Sequence, residues 1–395
     1  MCLEPEKRNV CLVRSAQSIW AADCLPANKG RASMVHSLID AFNLDKLLTI
    51  KIPQAATDDE LARFHSEEYV RAACSSASIA SEQYDDTSDD EYDDDDDDDD
   101  NNYNNNSQGD SRGFGLEFDC AVFDQMEQHV RYIAGGTICA ARTLVEGNAD
   151  IAINWEGGRH HAGRSKAAGF CFVNDIVLGI LVLQQRFSRV LYVDLDLHHG
   201  DGVQNAFLYS SSVMTLSFHH AERGFYPNSG MTSVEGKGKG TGYSINIALK
   251  RGASDSTFVS AFSRISEILV PEFQPDAVVL QCGCDGLAGD PHKIFNLTPD
   301  AFVQCLKLAI AWNRPLMLLG GGGYNHADSA RCWTRITAAA CGADISADQD
   351  IPDHRFYTEY PPAFDMRVDA MLLHDENTQK QLDEKVSEIK SLGGF

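Results

Sequence analysis

No apolar run in the 395 residues comes near the eighteen or so that a helical membrane span needs, which leaves a membrane role without a segment to carry it. A basic stripe is missing too. Lys and Arg number 33 against 58 Asp and Glu, for a formal net charge of −25, so nothing could neutralise a row of phosphates. Nothing in the sequence therefore suggests direct nucleic-acid binding, and a basic protein or peptide is the fitting partner. The twelve cysteines lack regular spacing, and Cys11, Cys139, Cys171 and Cys305 lie inside apolar runs. With no apolar signal region in the opening MCLEPEKRNV, the expectation is reduced, structural thiols in an intracellular protein. The glycine run GGGGYN has neither the lysine of a P-loop nor GxGxxG spacing, which weakens a phosphate-binding reading.

What the chain does have is a series of short, nearly continuous apolar runs. They are VCLV at Val10, IAIN at Ile151, VLYVDLD at Val190, VMTLSF at Val213, YSINIA at Tyr243, AVVLQC at Ala277 and PLMLLG at Pro315. Helical patterns alternate with them: ASMVHSLIDAFNL, FVNDIVLGILVLQQRF and DAFVQCLKLAIAW. Strands apolar on both faces, alternating with helices, predict an α/β fold on a parallel sheet covered on both sides. The acids are unevenly spread. Glu82 to Asp110 holds fifteen acids and no base, and without it the chain carries only −10. This tract is expected to be a disordered surface insertion, at about residues 84–110, in a single catalytic domain spanning 1–395. It would serve as a solvating spacer, a lure for lysine-rich tails or a weak cation site.

In open α/β sheets function gathers at the carboxyl ends of the strands, where this chain repeatedly places polar clusters. The first is VLYVDLDLHHGDG, with three aspartates and two histidines in eight residues. Burying them is costly unless something pairs with them, and a metal ion would. Asp194, Asp196 and His198 stand at i, i+2 and i+4, on one face of an extended chain, with Asp285 in QCGCDGLAGDP as a further carboxylate from another strand end. Turn aspartates capping helices would be the plain alternative. The second cluster holds the tandem pair His160 and His161 between glycines; histidine suits general base and acid work, and Asp194 and Asp201 are spare acids to orient the rings. The third, LLGGGGYN, brings Tyr324 to the same rim as a hydrogen-bond donor to an oxyanion.

Taken in order, GGRHHAGRSKAAGFCFVND, YVDLDLHHGDGVQNAF, GFYP, QCGCDGLAGDP and GGGGYN resemble the successive signatures of the zinc-dependent class I histone deacetylases. KGRASMVHSLIDAF, FHSEEYV, GLEFDC and IPDHRFYTEY point to the histone deacetylase 8 branch, and the likeness runs from about Val10 to Tyr360 apart from the acidic insertion. It implies the three-layer arginase/deacetylase fold with a central eight-stranded parallel sheet. It also implies hydrolysis of N-ε-acetyl-lysine in histones and other proteins, and hence chromatin regulation and transcriptional repression. By motif, Asp196, His198 and Asp285 are the zinc ligands, with Fe²⁺ or Co²⁺ as other metals such a donor set accepts. His160 and His161 are the acid/base pair backed by Asp194 and Asp201, with His161 taking the proton of water, and Tyr324 polarises the acetyl carbonyl. Gly169, Phe170 and Tyr226 line the acyl-lysine tunnel with His292 and Gly322, and Asp119 grips the substrate backbone. Structural potassium is implied at Asp194, Asp196, His198, Ser217 and Phe218, and again at Phe207, Ser210, Val213 and Tyr243.

Three positions depart from the family pattern. Arg159 stands where tryptophan usually precedes the histidine pair, Tyr226 replaces a tunnel phenylalanine, and His292 follows Asp290–Pro291 where methionine or leucine is common. Altered rim polarity is expected, with the metal chemistry intact. Deacetylation of small amines such as polyamines, an arginase-like ureohydrolase and a silent acetyl-lysine reader are the competing readings; the last conflicts with the presence of every catalytic position. Because the sequence stops soon after the catalytic region, activity without a corepressor complex is expected, in nucleus and cytoplasm. Ser33 is expected to be a helix N-cap, with a basophilic kinase site as the alternative.

Overall fold

The computed structural model describes residues 8–74 and 113–391. The acidic insertion predicted at 84–110 lies outside them. Nine strands form one sheet among the described residues: β1 (Val10–Val13), β2 (Thr49–Lys51), β3 (Ile151–Asn154), β4 (Val190–Asp194), β5 (Val213–His220), β6 (Val234–Glu235), β7 (Ser244–Leu249), β8 (Ala277–Gln281) and β9 (Leu316–Leu319). Their order is β2-β1-β3-β9-β8-β4-β5-β7-β6. Eight pair in parallel, as expected, and β6 adds a two-residue antiparallel edge beside β7.

Both faces of the sheet are buried, which is why its strands read as unbroken apolar runs rather than alternating ones. In β4, Leu191 and Val193 enter one core while Val190 and Tyr192 enter the other. In β9, Leu316 and Leu318 part from Met317 and Leu319 in the same way. The helices Arg31–Ala41, Asp255–Phe273, Pro299–Ala311 and His326–Ala340 cover the first face; Met126–Val145 and Asp175–Leu183 cover the second. On the first of these, Met34, Val35, Leu38 and Ile39 share one face and are buried, each worth about 1.5–3 kcal/mol of transfer energy, with Phe42 partly buried against the same core. Ser33 does not cap this helix. Gly30 is the cap residue, in the left-handed region at φ 85°, and Ser33 sits a turn inside, donating its hydroxyl to Asp23. Asp23 in turn accepts the backbone N–H of Ala32 at 2.9 Å, so a carboxylate from the preceding segment does the capping work.

The strand order places the site. β3, β9, β8 and β4 are consecutive in the sheet, so the four polar clusters that follow them in sequence meet at one end of it. Behind them Trp155 and Trp333 stack with centroids 5.4 Å apart and planes 3° from parallel. Their indole N–H groups donate to Thr337 Oγ1 at 3.0 Å and to the Cys282 carbonyl at 2.8 Å. All eleven described cysteines are free, and no described helix is long and apolar enough to cross a membrane.

Candidate active site

Strand β4 ends at Asp194, and the extended geometry expected through His198 ends with it. The Asp196 N–H donates to Asp194 Oδ1 at 3.1 Å and the His198 N–H to Asp196 Oδ1 at 3.1 Å, so the chain curls by successive side-chain turns. Leu195 and Leu197 still point into the apolar core, and Asp196 and His198 still converge, now with Asp285 from beyond β8. One ligand atom from each of these three lies within 4.8 Å of the others. His198 Nδ1 is 2.9 Å from Asp285 Oδ2 and 3.3 Å from Asp196 Oδ1. Asp194 is outside this group and serves the histidine pair.

The donor set asks for a cation. Burial opposes charge on His198, yet Asp285 and Asp196 outweigh it and lift the imidazole to about 10. Burial, and then repulsion from Asp196, raises Asp285 to about 6. Two carboxylates at 1 % exposure thus draw positive charge into their midst, and two oxygens with one imidazole nitrogen fit a divalent ion with an open position. The surrounding backbone leaves no slack. A Cβ on Gly283 would fall 1.9 Å from Asp196 Oδ2, and one on Gly322 would fall 2.3 Å from Asp285 Oδ2. The Gly322 N–H donates to Asp196 Oδ2 at 2.9 Å, and Gln281 Nε2 reaches the same oxygen at 3.0 Å.

His160 and His161 follow β3 with ring centroids 4.0 Å apart. Their Nδ1 atoms meet Asp194 Oδ2 at 2.8 Å and Asp201 Oδ1 at 2.7 Å, which is the pairing expected from the sequence. The two rings differ in charge. Burial pulls His160 down, but Asp194 and Asp196 outweigh it and lift it to about 9. Burial, and then the charge of His160, push His161 down to about 4 against the pull of Asp201. Tyr192 donates to Asp194 Oδ2 at 2.6 Å, so that carboxylate is held from both sides.

Tyr324 is set by Asp290, whose Oδ2 accepts the Tyr324 N–H at 2.9 Å. Burial, and then Asp285, raise its phenol well above the usual value, so it stays protonated as a donor. His292 lies against it with centroids 5.2 Å apart and gives Nδ1 to Asp290 Oδ1 at 2.7 Å. On the opposite wall Asp119 accepts the Gly169 N–H at 2.8 Å, fixing the loop that carries Phe170. Gly169 sits at φ 54°, where an added Cβ would come 2.4 Å from His161 Cδ2 and 2.8 Å from the Tyr226 hydroxyl, and only glycine fits. Tyr226 packs edge-on against His161 at 4.9 Å, and Phe225 stacks on His198 at 5.2 Å.

Of the residues expected to bind potassium, Asp196 and His198 belong to the triad lining the cavity, and the others do not line it. Ser217 stands in register beside Asp194 on β5, and Phe218 follows it. Phe207, Ser210, Val213 and Tyr243 are neighbours: the Ser210 N–H donates to the Phe207 carbonyl at 2.8 Å, the Val213 N–H to Ser210 Oγ at 3.2 Å, and the Thr215 N–H to the Tyr243 carbonyl at 2.9 Å. Sequence reading missed Gln281, Asp290, Tyr192, Arg31 and Asp175. Arg31 donates to the carbonyls of Gly323 at 2.8 Å and Gly321 at 3.0 Å, bracing the loop of Tyr324. Asp175 accepts the N–H groups of Gly158 at 2.9 Å and Arg159 at 2.8 Å, bracing the histidine loop. All five stood within quoted motifs, and that nearness was the one available signal.

The histone deacetylase domain family matches residues 25–340. The chain belongs to the histone deacetylase family. It is similar to histone deacetylase 8 of Danio rerio, at 40% identity over 97% of this chain and 94% of that protein, and to histone deacetylase 8 of Xenopus tropicalis, at 41% over 91% and 90%. Histone deacetylase 6 of Arabidopsis thaliana is 40% identical over 91% of this chain and 71% of its own length. The resemblance to the histone deacetylase 8 branch is thus borne out, and the chain is a hydrolase of the deacetylase class.

Proposed function

We propose that this chain removes acetyl groups from N-ε-acetyl-lysine in histone tails and other proteins. The observation that carries the reading is the convergence, around one narrow cavity, of a carboxylate-backed histidine pair, the Asp196–His198–Asp285 triad and Tyr324. Asp196, His198 and Asp285 would hold a divalent cation, zinc or else Fe²⁺ or Co²⁺, which when bound would supply Lewis acidity to a carbonyl oxygen and acidify water. His161, neutral at physiological pH, takes the proton of the attacking water. Tyr324 donates to the oxyanion that develops on the acetyl carbonyl. His160, charged and held by Asp194, returns a proton to the departing lysine amine.

Gly169, Phe170 and Tyr226 line the path of the acyl-lysine stem, with Gly322 and His292 opposite. Asp119 keeps one oxygen for a substrate backbone N–H while the other holds Gly169. Structural K⁺ is proposed at Asp194, Asp196, His198, Ser217 and Phe218, and at Phe207, Ser210, Val213 and Tyr243. The chain acts as one catalytic domain without a corepressor complex, on chromatin in the nucleus and on other proteins in the cytoplasm. The test is turnover of an acetyl-lysine peptide panel before chelation, after it, and after adding back Zn²⁺, Fe²⁺ or Co²⁺. Loss followed by recovery is expected. Turnover that survives complete removal of metal, or a panel left untouched by metal-replete protein, would overturn the reading.

A further inference from the structure

Behind the catalytic cavity lies a second, narrow inner space walled by Trp155, Trp333, Glu156, Asn28 and Arg31. Arg159 lines both spaces. It is 4 % exposed and Arg31 is 3 % exposed, and neither guanidinium forms an ion pair among the described residues. Arg31 spends two N–H groups on the carbonyls of Gly321 and Gly323. Arg159 has far less. With the Asn28 amide turned to suit its neighbours, its oxygen accepts from Arg159 at 3.3 Å and from Arg31 at 3.2 Å, and Arg159 Nε has no partner.

The nearby carboxylates are already engaged. Glu156 bonds His36, and with the Asn154 amide turned it accepts that side chain at 2.9 Å. Asp175 is filled by Thr137 and by the N–H groups of Gly158 and Arg159. A guanidinium carries five donors, and burying it with nearly all of them idle costs several kcal/mol. The expense has a reason if a carboxylate arrives with the substrate, because a paired fork of N–H groups matches a carboxylate edge.

We propose that Arg159, with Arg31 beside it, is an anion-binding end to the acyl pocket, and that this chain also hydrolyses lysines carrying an acyl group that ends in a carboxylate, malonyl or succinyl. This rests on the deacetylase reading above. The reaction balances as before: the amide C–N bond breaks, water's oxygen bonds the acyl carbon, and water's protons pass to the lysine amine and the new carboxyl group, releasing malonate or succinate. Arg159 is a specificity residue that holds the far carboxylate, and the same catalytic groups act on the near carbonyl.

One peptide is made with acetyl, butyryl, malonyl and succinyl lysine, butyryl being the neutral counterpart in length of malonyl. Metal-replete wild type is expected to favour malonyl over butyryl in kcat/KM by about tenfold or more, the worth of one charge-assisted hydrogen bond. Arg159→Trp is expected to abolish that preference and Arg159→Lys to keep part of it, each variant first shown to be folded by its melting temperature. In metal-free protein, free malonate is expected to raise the melting temperature of wild type but not of Arg159→Trp. Acetyl turnover with no malonyl preference, a preference that survives Arg159→Trp, or a malonate shift independent of Arg159 would each overturn the proposal. If no acyl peptide is turned over, the deacetylase reading itself fails, whatever malonate does.

Discussion

The catalytic cavity and the inner chamber share a wall at Arg159, yet they treat buried charge in opposite ways. In the cavity each histidine has its carboxylate, each carboxylate has donors, and Asp194 alone answers His160, Tyr192 and the Asp196 backbone. In the chamber two guanidiniums share one amide oxygen. A fully connected buried network holds reacting groups in one geometry, and a half-connected one waits for an outside partner. The cavity also waits, but only at the triad, where positive charge is drawn between Asp196 and Asp285.

The sharpest way to break the comparison is to unbalance the triad. Asp285→Asn removes one of two carboxylates, and both bound divalent metal, read by elemental analysis, and peptide turnover are expected to fall to background. Tyr324→Phe is expected to cost about a hundredfold or more in kcat, the usual worth of one oxyanion donor, with metal content unchanged. Wild-type turnover in that variant would remove Tyr324 from the mechanism.

Acid should act on buried histidines elsewhere in the framework. His65, which accepts the Asn174 N–H at 3.0 Å, is pushed down by burial to about 4. His129 is pushed down to about 3 by burial and then by Arg159. Both are lowered from 6.5, so the unfolded chain takes up the proton first and their stabilisation, complete above that value, drains away as pH falls. Between pH 6.5 and 5 each is expected to remove about 1.4 kcal/mol per pH unit, seen in denaturation midpoints. The smallest effect belongs to the chamber. Arg159→Trp discards a buried, unpaired charge and is expected to raise the melting temperature by about 2–4 °C per kcal/mol gained, while easing the acid sensitivity at His129. A lowered melting temperature would mean that the guanidinium has a partner within the chain.

Much of this was legible in the sequence, for reasons that differ by element. The seven interior runs became strands within a residue or two, because burial on both faces demands continuous apolar character. Thr49–Lys51 and Val234–Glu235 escaped notice: they are short, and no residue of either is fully buried, so no pattern is imposed on them. The triad, the histidine pair and Tyr324 stood out because so many titratable groups after apolar strands need a purpose. The bracing residues did not. Asp175 looks like the start of a helix, and Arg31 like surface charge in KGRAS, until the fold brings them against Gly158 and Gly321. Ser33 misled because a serine near a helix start ordinarily caps it, whereas Asp23, ten residues earlier, had that task.

The interleaved strand order has a consequence for how the molecule comes into being. β9, though made last, slots between β3 and β8, so the tyrosine and the histidine pair become neighbours only after nearly the whole chain has left the ribosome. A product cut short before β9 lacks both Tyr324 and the strand that joins β3 to β8, so it cannot assemble the site.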